Sequence, residues 1–244
     1  MAPLVITVLY DNYGSVPGLK YGWGFSCMVQ GAFGKVLFDT GSDATSLLDN
    51  MKRLDIHPRE VDAVFLSHDH WDHVDGVGGF LVERGSGAPV HVTPAFSDGL
   101  RDRIQRAGCH VVEHGSSNEA ACKLEILPGV FSTGEMEATP PEHSMVVVTA
   151  GGPVVVVGCC HQGLKSLLER VRDMCGDDIA LLVGGFHLFR DGVKEVKDIV
   201  RMVMDMGVKK VAPTHCTGKR AIRIFEEVYG DAFIPMGVGV VVDC

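Results

Sequence analysis

Apolar and polar positions along this chain follow two periods, and the changes of period outline the elements. Residues 4–10 (LVITVLY) make an apolar run of strand length. Residues 24–30 (GFSCMVQ) and 35–39 (KVLFD) read as a hairpin pair around Gly31 and Gly34. Ser42 or Asp43 can cap a helix in which Leu47, Leu48, Met51 and Leu54 recur at helical spacing. A buried strand is expected at 61–66 (VDAVFL), a short helix within 76–84, a strand at 90–93, a helix at 97–107 and a strand at 110–113. From about 123 to 158 the pattern is strand-rich, and 145–150 with 154–158 form the clearest hairpin, turning at Gly151-Gly152. Helices at 163–175, 193–206 and 218–228 then alternate with strands at 179–183 and 208–212, and a last strand is expected at 237–242.

Strands followed by strand–helix alternation occur twice. This predicts an α/β (α+β) chain, one domain over 1–244 built of two similar halves, about 1–122 and 123–244. Packing the two sheets face to face with helices outside buries every apolar face. Each half ends a buried strand with a histidine, VFLSH at His68 and KVAPTH at His215. Those strand ends are expected to meet at one edge, where loops carry ligands on a rigid scaffold.

Charge narrows the partners. The net charge is −9 with no Lys/Arg-rich block, which argues against nucleic acid. No apolar run approaches the length of a membrane span. The start MAPLVITVLYDN lacks the basic region and cleavable apolar segment of a secretory signal, so a cytoplasmic location is expected. A small-molecule substrate is the expected partner, and a homo-oligomer is compatible with the sequence. The eight cysteines (27, 109, 122, 159, 160, 175, 216 and 244) include no C-x-x-C pair, which excludes a zinc ribbon. They are expected as buried thiols or neighbours of a site rather than disulfides.

The run His68-Asp69-His70-Trp71-Asp72-His73 carries the chemistry. Three imidazoles and a carboxylate within six residues, directly after an apolar strand, are hard to explain by packing, because buried charges need partners. A divalent metal satisfies them all. Imidazole and carboxylate suit zinc, and also iron or manganese. The natural division is His68 and His70 on one ion, Asp72 and His73 on a second. Further ligands must come from distant segments, and the strand-end histidines His161 and His215 are the expected ones. His187 is expected to bind substrate or orient a ligand. Asp39, in LFDTG, is expected to hydrogen-bond the free nitrogen of a liganding imidazole. His57, His91, His110 and His114 read as surface or loop residues, with His143 a reserve ligand.

Taken together, LFDTG, SHDHWDH and the late strand-end histidines resemble the metallo-β-lactamase superfamily along nearly the whole chain. The resemblance implies a four-layer αββα sandwich with one or two metal ions at the sheet edge. It also implies a hydrolase in which the metal activates water and Asp72 both binds metal and orients the attack. YDN at 10–12, GWGFS at 22–26, GCCHQG at 158–163, GGFHL at 184–188 and PTHCTG at 213–218 resemble one subgroup, that of the archaeal 7,8-dihydropterin-6-methyl-4-(β-D-ribofuranosyl)aminobenzene-5′-phosphate synthase. That likeness implies an alternative, a transferase joining a dihydropterin to a phosphorylated aromatic partner. Trp23, Tyr13, Phe25 and Phe186 are then candidates to stack on a pterin, and Lys219 and Arg220 to receive a phosphate. The superfamily usually has a bridging Asp after the strand that here ends at Gly158; this chain has Cys159-Cys160-His161. Either His161 supplies the ligand with a cysteine near the bridge, or no bridge exists.

Overall fold

In a computed structural model, residues 3–116, 124–176 and 178–244 are described. The expected boundary between halves near 122, and Cys122 itself, lie outside the described residues. One sheet contains β1 (Val5–Tyr10), β2 (Ser26–Gly31), β3 (Gly34–Phe38), β4 (Ala63–Phe65), β5 (Pro89–Val92), β6 (His110–Glu113) and β13 (Val241–Asp243), in the order β13-β1-β2-β3-β4-β5-β6. The other contains β7 (Leu124–Leu127), β8 (Val130–Ser132), β9 (Met145–Thr149), β10 (Gly152–Val157), β11 (Leu181–Gly185) and β12 (Lys210–Thr214), in the order β12-β11-β10-β9-β8-β7. The last strand therefore crosses back to pair antiparallel with β1.

The period of two explains the layers. In β1, β3, β9 and β10 alternate residues, among them Ile6, Val8, Val36, Phe38, Met145, Val147, Val154 and Val156, meet between the sheets. The intervening Leu9 and Leu37 face α1 (Ala44–Arg53), α3 (Val77–Arg84) and α4 (Asp98–Arg106). On the far side, Val146, Val155 and Val157 face α5 (Leu164–Cys175), α6 (Val193–Asp205) and α7 (Lys219–Tyr229). The result is the αββα sandwich of the metallo-β-lactamase fold. Asp43 caps α1 by accepting the N–H groups of Thr45 and Ser46, each at 3.0 Å.

Three expectations need correction. β11 and β12 start two residues later than the pattern suggests, because Ile179 and Val208 pack in the helix-side core ahead of the ladder. The final strand is confined to Val241–Asp243, since Gly237 and Gly239, at φ 156° and 90°, turn the chain before it. His91 and His114 are neither surface nor loop-exposed: both are buried. His91 registers with Phe65 across β4–β5 and faces the inter-sheet space, where its Nδ1 lies 2.7 Å from His114 Nε2. His57 and His110 are exposed as expected.

Candidate metal centre

The functional side chains leave the C-terminal ends of strands. β1 delivers Asp11 and Asn12, β3 delivers Asp39, and β4 leads through Ser67 and His68 into the short helix α2 (Trp71–Val74) with Asp72 and His73. Across the sandwich β10 delivers Cys159 to His161, β11 His187 and β12 His215. β3–β4 and β10–β11–β12 pair in parallel, so within each sheet these ends lie on one edge. Asp39, Cys160, His187 and His215 have left-handed backbone, φ 51°, 64°, 52° and 50°. Such residues cost about 1–3 kcal/mol each and persist where the surroundings over-determine them.

Hydrogen bonds set the tautomers of His68, His73, His161 and His215. Asp39 accepts from Ser67 N at 2.7 Å, Ser67 Oγ at 2.7 Å and His73 Nδ1 at 2.6 Å. Ser67 spends its hydroxyl hydrogen there, so its oxygen accepts from His68 Nδ1 at 2.9 Å. His161 Nδ1 donates to Glu142 at 2.9 Å, and His215 Nδ1 to Asn12 Oδ1 at 3.0 Å. With Nδ1 the donor in all of these, each Nε2 presents a lone pair to the common space. His73 Nε2 and His215 Nε2 stand 3.2 Å apart, and His68 Nε2 stands 3.1 Å from His70 Nδ1.

Facing lone pairs repel unless something positive lies between them. Two nitrogens bound to a tetrahedral zinc at about 2.0–2.1 Å would stand about 3.3 Å apart, which matches these gaps. Asp72 Oδ2 is 3.5 Å from His215 Nε2 and 3.8 Å from His73 Nε2, and Cys159 Sγ is 3.4 Å from the latter. Imidazole, carboxylate and thiol together suit a divalent transition ion. The residues therefore fit a metal.

Without an ion, a proton can fill the same gap. Burial, then the neighbouring imidazoles, push His68 and His215 well below the usual imidazole value. Burial also opposes charge on His73, but the Asp39 carboxylate outweighs it and lifts His73 to about 9. Burial raises the Asp39 carboxyl too, and the His73 ring and the two Ser67 donors oppose that rise.

The remaining candidates divide by position. The His161 ring lies 4.7 Å from His68 and 5.1 Å from His70, while His187 is exposed with its ring 4.6 Å from His161. The Cys159 thiol joins the imidazoles, but Cys160 packs in the core beneath α5. His143 turns away: Ser132 Oγ and the Leu66 carbonyl take its two nitrogens, and its ring stacks on Phe65. Of the aromatic candidates, Phe25 and Phe186 are closed in the core. Trp23 is exposed, 5.5 Å from the His215 ring and edge-on to exposed Phe189. Lys219 and Arg220 are solvated at the start of α7.

Sequence reasoning missed Glu142. This fully buried carboxylate accepts the backbone N–H groups of Cys159, Cys160 and His161 as well as the His161 ring. Nothing in its local pattern, PPEHS, marks it. Asn12 and Ser67 lie inside the YDN and SHDHWDH runs, whose pattern alone assigns them no role. Asp11, lifted by burial to about 7, accepts from Thr214 Oγ1 at 2.5 Å and so pins the residue before His215.

A β-lactamase superfamily domain profile matches residues 35–236, most of the chain. The chain belongs to the β-lactamase superfamily. It is an enzyme of the metallo-β-lactamase fold. A solved metal-dependent hydrolase of this superfamily is 26% identical over 99% of both chains, with a TM-score of 0.79. The 7,8-dihydropterin-6-methyl-4-(β-D-ribofuranosyl)-aminobenzene-5′-phosphate synthase of Methanocaldococcus jannaschii is 25% identical, covering 96% of this chain and 93% of that one. The short form of human tRNase Z superposes with a TM-score of 0.67 at 16% identity, a likeness of fold alone. Among the described residues of this superfamily member, no helix is long and apolar enough to cross a membrane.

Proposed function

We propose that this protein is a metal-dependent hydrolase of a small, phosphorylated or planar substrate. One observation carries the reading: imidazole lone pairs from both sheets converge on one space, each fixed by a hydrogen bond at its other nitrogen. His68, His70 and His161 would hold one divalent cation, and Asp72, His73 and His215 a second, with zinc the favoured ion. Bound there, the cation lowers the pKa of a water toward about 7 and polarises a carbonyl or phosphoryl oxygen.

The protein's own contribution is orientation. Asp72, buried at 6% exposure beside His73 and His215, would bind the cation and orient the attacking water. His187, more open, can donate a proton to the leaving group. Its pKa is raised, first by a hydrogen bond to Cys216, which favours the protonated form. Asp39, Glu142 and Asn12 hold the imidazoles and do not touch substrate.

A second reading, a dihydropterin-condensing transferase, draws support from the full-length likeness to the archaeal synthase. It also draws support from Trp23 and Phe189, large aromatic side chains 49% and 41% exposed beside His215 and His187. A flat heterocycle can pack against such faces. Arg190, 5.1 Å above the Phe189 ring, would attract an anionic substituent.

Incubating zinc-loaded protein with phosphodiester and ester substrates, beside a dihydropterin diphosphate plus the aminobenzene phosphate, separates the readings. Hydrolysis of the first set supports the hydrolase, and condensation of the second supports the transferase. His68→Ala and Asp72→Ala should remove metal and activity while keeping the circular dichroism spectrum of the parent. Full metal content in both variants would contradict the proposal.

A further inference from the structure

We infer that Cys159 supplies a sulfur ligand shared between two cation positions, one bounded by His68 and His161, the other by His73 and His215. The inference rests on the metal centre proposed above and adds the identity of its bridging atom. Cys159 is common to two groups of candidate ligand atoms that lie within 4.8 Å of one another, His68–Cys159–His161 and His73–Cys159–His215. Its Sγ is 3.4 Å from His73 Nε2, and the residue is 3% exposed.

The backbone aims this thiol. Glu142 Oε1 accepts from Cys159 N at 2.8 Å and Cys160 N at 3.0 Å, while Oε2 accepts from His161 N at 2.9 Å. One carboxylate thus sets the whole turn. The left-handed Cys160, at φ 64°, sends its own side chain into the core and leaves Cys159 and His161 facing the imidazoles.

Charge balance points to the same atom. Asp72 stands within 4 Å of the imidazoles on the His73–His215 side. Glu142 is spent on donors. Among the described residues, Cys159 is the sole member of both groups. On metal binding the S–H proton leaves to solvent and the thiolate charge offsets both ions. A sulfur ligand also biases the site toward zinc or iron and away from magnesium or manganese. Cys216 belongs only to a third group, with Cys159 and His187.

Cobalt(II) loading of the full chain is the test. The wild type should show an intense near-ultraviolet sulfur-to-cobalt charge-transfer band, and X-ray absorption of the zinc form should show sulfur scattering. Cys159→Asp should lose the band and keep both ions; Cys159→Ala should lose the band and the more weakly held ion. Cys216→Ala should keep the band. A band that survives in Cys159→Asp, or vanishes in Cys216→Ala alone, overturns the assignment. Cobalt bound with only imidazole-type d–d transitions, and no sulfur scattering, overturns the bridge while leaving the metal centre intact. No cobalt bound at all defeats both. The wild-type measurements keep the inference falsifiable even if a variant fails to fold.

Discussion

His73 concentrates the physics of the site in one side chain. Its Nδ1 is held by Asp39 and its Nε2 faces His215, so a proton and a cation compete for one position. Because its pKa is raised to about 9 in the metal-free protein, binding an ion displaces a proton. Metal affinity should therefore climb as pH rises toward about 9, and isothermal titration in buffers of different ionisation enthalpy should detect the released proton. The same shift works in reverse for the metal-free fold. It contributes stability that is complete below the ordinary value of 6.5 and disappears as pH rises through about 9. Glu142 offers a second residue-scale test. Replacing it with Gln removes an anionic acceptor from the 159–161 turn and from His161 Nδ1. Glu142→Gln should weaken metal binding about 10–100-fold in a chelator competition; unchanged affinity would remove Glu142 from the account. The imidazoles themselves were legible in the sequence because they crowd one short run and end apolar strands. Glu142 was not, because three of its four donors are backbone N–H groups, which leave no compositional trace.

At the scale of elements, the site depends on close approach between the segment after β1 and the helix α2. Gly24 sits at φ 146° with its N–H on Asn12 Oδ1 at 2.9 Å, and a Cβ there would lie 2.5 Å from the Asp72 carbonyl oxygen. Gly24→Ala must push that backbone apart. It should destabilise the fold by about 1–3 kcal/mol in urea unfolding and also lower metal affinity, since the same shift moves Asp72. A variant with normal stability and normal metal content would show the approach to be unimportant. Helix and strand identities were readable from periodicity because both faces of each sheet are covered. The ends of β11 and β12 were less so: Ile179 and Val208 are as apolar as the ladder residues that follow, but serve the helix-side core.

Over the whole molecule, the burial of imidazoles outside the site has a cost in acid. His91 and His114 are held neutral, lowered to about 3 and about 4, by burial and, for His91, by the other imidazoles. The unfolded chain binds those protons near 6.5, so it takes up more protons than the native state across that window. Stability is complete above 6.5 and falls as pH drops through about 4 for His114 and about 3 for His91. The urea midpoint should decline over that range, and less steeply in His114→Gln; an equal decline would rule the pair out as a cause. These histidines read as surface residues because a sequence does not reveal which residues of β5, or of the segment just after the edge strand β6, turn inward. The two-sheet architecture itself was legible, since repeated apolar strands and amphipathic helices admit few ways to cover every apolar face. Anomalous diffraction at the zinc edge, from crystals of metal-loaded protein, tests the central claim most directly. Peaks should appear flanked by the ring nitrogens of His73 and His215 and of His68 and His161. Zinc-loaded crystals with no anomalous peak among these imidazoles would contradict it.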